Sequence, residues 1–110
     1  MTQTRFAPLP EAPYYAVVFS SLRTIGDDGY DAMSARMIEL AQKQSGFLGA
    51  ESARDVSGFG ITVSYWKDEE SIRNWKSHAE HRIAQETGKT RWYEHYITRV
   101  CKVKRSYSLK

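Results

Sequence analysis

The residues best equipped for chemistry lie close together in "YWKDEESIRNWKSHAEHRIAQ", Tyr65 to Gln85. This stretch holds Trp66, Trp75, His78, His81, Arg82 and Gln85. At about 100° per residue on a helix, Ile72, Trp75, Ala79 and Ile83 form one narrow apolar stripe. His78, Arg82 and Gln85 then flank that stripe beside Trp75, and His81 falls on the opposite, wet side. The flank offers a stacking ring, a proton carrier, a fixed cation and an amide, as a pocket wall would. The bland alternative is a tryptophan at a core border with a surface histidine next to it. The two histidines point apart and no cysteine or carboxylate completes a ligand set, so no metal site is expected. Trp66 ends a strand while Trp75 lies on a helix, and the two are not expected to act as a pair.

The elements that position these residues can be read from periodicity. All three prolines fall in residues 1–13, which suggests an extended N-terminal arm ahead of one domain over residues 14–110. Tyr14–Ser21 is aromatic and β-branched and predicts a strand. Asp27, Asp28 and Gly29 can cap a helix start. Met33, Met37, Leu40 and Ala41 have helical spacing from Tyr30 onward, and Ser45-Gly46 supplies the stop. Phe47–Arg54 predicts a second strand, Asp55–Gly58 a turn, and Phe59–Lys67 a third strand. In that third strand Phe59, Ile61, Val63 and Tyr65 share one face, while Gly60, Thr62, Ser64 and Trp66 share the other. Asp68, Glu69 and Glu70 put negative charge where the next helix begins. Thr87-Gly88 ends that helix, and Glu94–Tyr107 predicts a long last strand.

The order β-α-β-β-α-β is α+β and ferredoxin-like. Two helices cover one sheet face, which leaves the other face seeking a partner. A homodimer with its sheets face to face meets that need.

Composition narrows the functions further. The chain has 110 residues, 41% hydrophobic and 26% charged, consistent with a single globular domain. The longest apolar run, Ala16–Phe19, is too short to span a bilayer, and the N-terminus lacks an apolar signal region. A single cysteine, Cys101, excludes an internal disulfide, and the cytoplasm is the expected compartment. The net charge of +3 is concentrated in "RVCKVKRSYSLK". That pattern fits a lysine-protected edge strand, and no nucleic-acid-binding signature accompanies it. Nucleophile-elbow, phosphate-loop and dinucleotide fingerprints do not occur in the chain.

The runs "GFGITVSYWKDEESIRNWKSHAEHRIAQ" and "GKTRWYEHYITRVCKVKRSY" resemble the antibiotic biosynthesis monooxygenase-like superfamily, over about residues 13–107. More narrowly, they resemble a bacterial subgroup of small proteins labelled monooxygenases. The resemblance implies a dimeric α/β barrel with a pocket between sheet and helices. It implies an aromatic or polycyclic small molecule and dioxygen as partners, with no bound cofactor. Trp75 matches the pocket tryptophan of the haem-degrading members, but ten residues on, where they carry the iron-ligating histidine, this chain has Gln85. Their first-strand asparagine is also missing from Val18–Ser21. Glutamine is a poor iron ligand, so cofactor-free oxygenation is preferred to haem degradation. Under that reading His78 is the base, and Arg82 or the Trp75 N–H stabilises the anion. Trp92 and Tyr96 close the slot, Ser20 or Ser21 binds substrate, and Gln85 lines the pocket. The alternatives are a non-catalytic small-molecule binder of the same fold, and a haem-binding variant ligated through His78 or His81.

Overall fold

A computed structural model describes residues 5–24, 30–86 and 92–109, without the side chains of residues 30, 31 and 81–86. The elements run β1 (Tyr14–Arg23), α1 (Tyr30–Gln42), β2 (Phe47–Arg54), β3 (Phe59–Trp66), α2 (Glu69–Glu86) and β4 (Tyr93–Val103). The expected α+β, ferredoxin-like order is therefore present. Four elements differ in their bounds from the reading above. β1 runs two residues further, to Arg23; α1 stops at Gln42; β3 ends at Trp66 rather than Lys67; and β4 spans Tyr93–Val103 rather than Glu94–Tyr107. Asp27, Asp28 and Gly29, and the helix stop at Thr87-Gly88, lie outside the described residues.

The four strands form one antiparallel sheet in the order β2-β3-β1-β4. The basic last strand is thus an edge, where lysine and arginine discourage pairing with a foreign strand. Paired residues share a face, so the register separates the sheet into two surfaces. One carries Tyr15, Val17, Phe19 and Ser21 of β1 with Trp66, Ser64, Thr62 and Gly60 of β3. The other carries Ala16, Val18, Ser20 and Leu22 with Tyr65, Val63, Ile61 and Phe59. α2 packs on the first surface, because Trp75 stacks on Trp66, and α1 packs against α2.

Three local devices set where α2 begins. Asp68 caps it, Oδ1 accepting from the Ser71 backbone N–H at 2.8 Å. This is the ordinary way a carboxylate satisfies an orphan donor of the first turn. The Ser71 hydrogen bonds hold the Asp68 carboxyl below its usual pKa. At Gly46, φ is +89°, a left-handed conformation that favours glycine after a helix. Its carbonyl accepts from Lys67 N at 2.9 Å, and a Cβ there would lie 2.1 Å from Ser71 Oγ. The end of α1, the end of β3 and the start of α2 therefore close on one glycine.

The core is small. Trp66 is wholly enclosed (0% exposed), while Met33 of α1 packs on buried Trp92, with Met37 and Tyr93 beside them. On the other sheet surface Phe59, Ile61 and Ile97 stay 46%, 41% and 40% exposed, an apolar area without cover from either helix. Residues 5–8 lie against one end of that surface. Ala7 N donates to Glu51 Oε2 at 3.0 Å, and Tyr65 Oη donates to Glu51 Oε1 at 2.8 Å. Burial first, then the Glu51 carboxylate, raises the Tyr65 phenol to about 12.

Candidate functional site

The sheet surface beneath α2, the floor on which the helix rests, has a different chemistry at each end. At the α2 start, the Trp66 indole N–H donates to Ser64 Oγ at 2.9 Å, and Phe47 meets the ring edge-on at 5.3 Å. Trp75 lies over Trp66 with centroids 6.0 Å apart and planes 26° from parallel. His78 lies against Trp75 at 5.8 Å and 27°. The three rings run from full burial at Trp66, through half-buried Trp75, to exposed His78.

The opposite end of the floor is six residues along β3, roughly 20 Å away at ~3.3 Å per residue. There Ser21 is 2% exposed. Arg54 reaches across from β2 to donate to Ser21 Oγ at 2.8 Å, to the Ser21 carbonyl at 3.4 Å and to the Gly58 carbonyl. It can do so because Gly60 has no side chain; a Cβ there would sit 2.7 Å from Arg54 Cζ. Tyr96 pairs with Ser21 in the sheet and lies 5.3 Å from Phe19 and 5.9 Å from Tyr93, ring to ring. Between the ends, Val17, Phe19, Thr62 and Ser64 are half-buried, so the middle of the floor is less covered than its ends.

The predicted site residues fall into separate groups. Trp75 and His78 do stand side by side, as the helical flank required. Ser21 lies on the surface beneath α2 but Ser20 does not, because its neighbours across the sheet are Ile61 and Ile97 on the other surface. Trp92 is a core residue packed on Met33 rather than a wall of open space, whereas Tyr96 is 55% exposed. Arg82, Gln85, His81 and Ile83 have side chains outside the described residues. The view of the two tryptophans as unrelated is overturned: they stack. The signal was present, since β3 alternation put Trp66 on the helix-covered surface and a two-residue link returns α2 directly over it. Arg54 was missed altogether. Its cue was Gly60, which faces Arg54 across the Asp55–Gly58 turn.

Among the described residues, no cluster of three or more histidine, cysteine, aspartate or glutamate side chains is placed to hold a metal. No described helix is long and apolar enough to cross a membrane. A groove of about 540 Å³ between the N-terminal segment and the uncovered surface includes Arg5, Phe6, Glu51 and Ile61. It lies across the sheet from Trp75, as Glu51 and Ile61 face away from α2.

A four-stranded antiparallel sheet with two helices, joined in the order β-α-β-β-α-β, is the architecture of a known class. The chain belongs to the antibiotic biosynthesis monooxygenase family, whose model matches residues 15–87. Protein YqjZ of Bacillus subtilis (strain 168) is 52% identical over 96 residues, 87% of this chain and 84% of YqjZ. A shorter match, 39% over 46 residues, joins 42% of this chain to 21% of the jasmonate monooxygenase ABM of Pyricularia oryzae. Among solved structures, SnoaB, a cofactor-independent oxygenase from Streptomyces nogalater, superposes with a TM-score of 0.65. It covers 89% of this chain and 98% of its own at 12% identity, a likeness of fold alone.

Proposed function

We propose that this protein is a homodimeric, cofactor-independent monooxygenase that oxidises an aromatic or polycyclic small molecule in the cleft beneath α2. The observation that carries the reading is the Trp75–His78 ring pair at the border of the helix-covered sheet surface within a monooxygenase-family fold. His78 takes the proton of a phenolic substrate, and the resulting electron-rich anion passes electrons to dioxygen. One oxygen atom becomes the new quinone carbonyl and the other leaves as water, so the substrate supplies every electron. The Trp75 N–H, with Arg82, stabilises the developing oxyanion. Tyr96 and Gln85 orient the ring system, Phe19, Thr62 and Ser64 form its floor, and buried Ser21, held by Arg54, supports the far end of that floor from beneath. Ser20 and Trp92 are left out of this site on the geometry above.

The uncovered surface with Phe59, Ile61 and Ile97 supports the dimer, since a second copy would take those side chains out of water. Residues 14–110 are read as one domain with 1–13 as its arm, acting in the cytoplasm.

The test is oxygen uptake with a panel of hydroxyanthraquinones. His78→Ala is expected to lower kcat by about 10²-fold or more, the usual loss with a general base. Turnover insensitive to both His78→Ala and Trp75→Phe would refute the site, and no turnover with any substrate would favour a binding protein. A saturable Soret shift with hemin, abolished by His78→Ala, would favour the haem reading instead.

A further inference from the structure

The three-ring stack contains one residue that the proposed chemistry does not use. Trp66 is fully enclosed and cannot touch a substrate in the cleft. Its surroundings nevertheless fix it more tightly than burial alone requires. The indole N–H is tied to Ser64 Oγ at 2.9 Å, which defines which way round the ring lies. Phe47 meets it edge-on at 78°, and the Trp75 ring lies over it at 26°. Offset-stacked and edge-to-face contacts are the two preferred aromatic arrangements, and here both meet on one indole. Trp75, by contrast, sits on a helix flank, half in solvent, where burial alone would leave its ring free to turn.

We infer that Trp66, locked by Ser64 and Phe47, is a positioning residue that sets the orientation of the Trp75 indole and, through the same stack, of His78. The inference rests on the oxygenase reading for its catalytic consequence, but the geometry stands apart from it. The side chain on the last residue of β3 becomes the template for a ring on the second turn of α2. The short link through Lys67 and capped Asp68 keeps the two in phase. A small rotation of Trp75 would carry its N–H away from the place where charge develops. Misplacement of that size costs up to about 10²-fold in rate.

Two indoles stacked this closely couple their electronic transitions, which gives an exciton couplet in far-UV circular dichroism. The couplet should be present in the wild-type protein and absent from both Trp66→Phe and Trp75→Phe. Ser64→Ala, which keeps the packing and removes the hydrogen bond, should weaken it, and this variant serves if Trp66→Phe does not fold. With a turned-over hydroxyanthraquinone, Trp66→Phe should lower kcat roughly tenfold with KM little changed. It should add no further loss in a Trp75→Phe background. A couplet that survives Trp66→Phe or is untouched by Ser64→Ala would overturn the inference, as would kcat losses that simply multiply. Absence of turnover in the wild-type protein would defeat the oxygenase reading alone, and the couplet in Ser64→Ala would then decide this one.

Discussion

Gly60→Ala offers a sharp test of how the polar end of the surface beneath α2 is built. No positive φ distinguishes Gly60, so alanine is conformationally acceptable, and in a strand interior it would ordinarily gain about 0.5–1 kcal/mol over glycine. Here the added Cβ would lie 2.7 Å from Arg54 Cζ and 3.0 Å from both Arg54 Nε and the Ala53 carbonyl oxygen. The guanidinium must move, and with it go the bonds to Ser21 Oγ, the Ser21 carbonyl and the Gly58 carbonyl. The displaced cation regains water, but the buried Ser21 hydroxyl is left without its donor. An unsatisfied buried group of that kind costs about 1–3 kcal/mol, so with the lost charged bonds the net effect is about 2–3 kcal/mol. Arg54→Ala loses the same bonds and should cost about as much. The double variant should be no worse than Arg54→Ala, because the clash that made alanine unwelcome has gone. Urea unfolding at fixed protein concentration measures this directly. At m values of about 1–3 kcal/mol/M, each single variant should lower the midpoint by roughly 0.7–3 M with m unchanged. Equal losses from Gly60→Ala in the wild-type and Arg54→Ala backgrounds would refute the account and place the strain at Ala53.

The raised Tyr65 phenol has a pH signature. Its folded pKa of about 12 exceeds the ordinary 10, so its contribution to stability is complete below pH 10 and is lost as pH rises towards 12. Tyr65→Phe should flatten that alkaline limb of the stability profile, and its loss should remove the last phenolate to ionise in an absorbance titration. Gly46→Ala should cost about 1–2 kcal/mol from the left-handed backbone alone, with more from the overlap on Ser71 Oγ. Adding Ser71→Gly should recover only the overlap, as read from paired thermal melts. Ile61→Glu, placing charge in the uncovered surface, should turn a sedimenting dimer into a monomer at micromolar concentration. Wild-type protein that already sediments as a stable monomer would refute the face-to-face arrangement.

How much was legible in the sequence depended on whether a pattern had one reading. The alternation from Phe59 to Trp66 separates large from small side chains, so its two faces were assigned correctly from the residues alone. "YYAVVFSS" has apolar residues on both faces because both surfaces of β1 need them, and so nothing in it distinguished Ser20 from Ser21. The stop at Gly46 was visible, but not that Ser71 and Lys67 close on the same residue, because those contacts are long-range. Trp92 entered the expected site only through the family resemblance, and packing against Met33 showed it to be core. Arg54 was invisible for a similar reason: an arginine at a strand end usually faces water, and what drew it inward was an absent side chain on the next strand.

The division of the sheet into two surfaces also acts as a reading frame. Along β1, every second residue faces α2 and the rest face the uncovered surface. Inserting or deleting one residue in that strand would exchange the two sets, presenting Ser20 beneath α2 and turning Ser21 and Phe19 outward. Substitution can therefore tune the two sheet surfaces separately, position by position. A change of length within β1 alters both at once, which confines tolerated length variation in such a chain to its turns and termini.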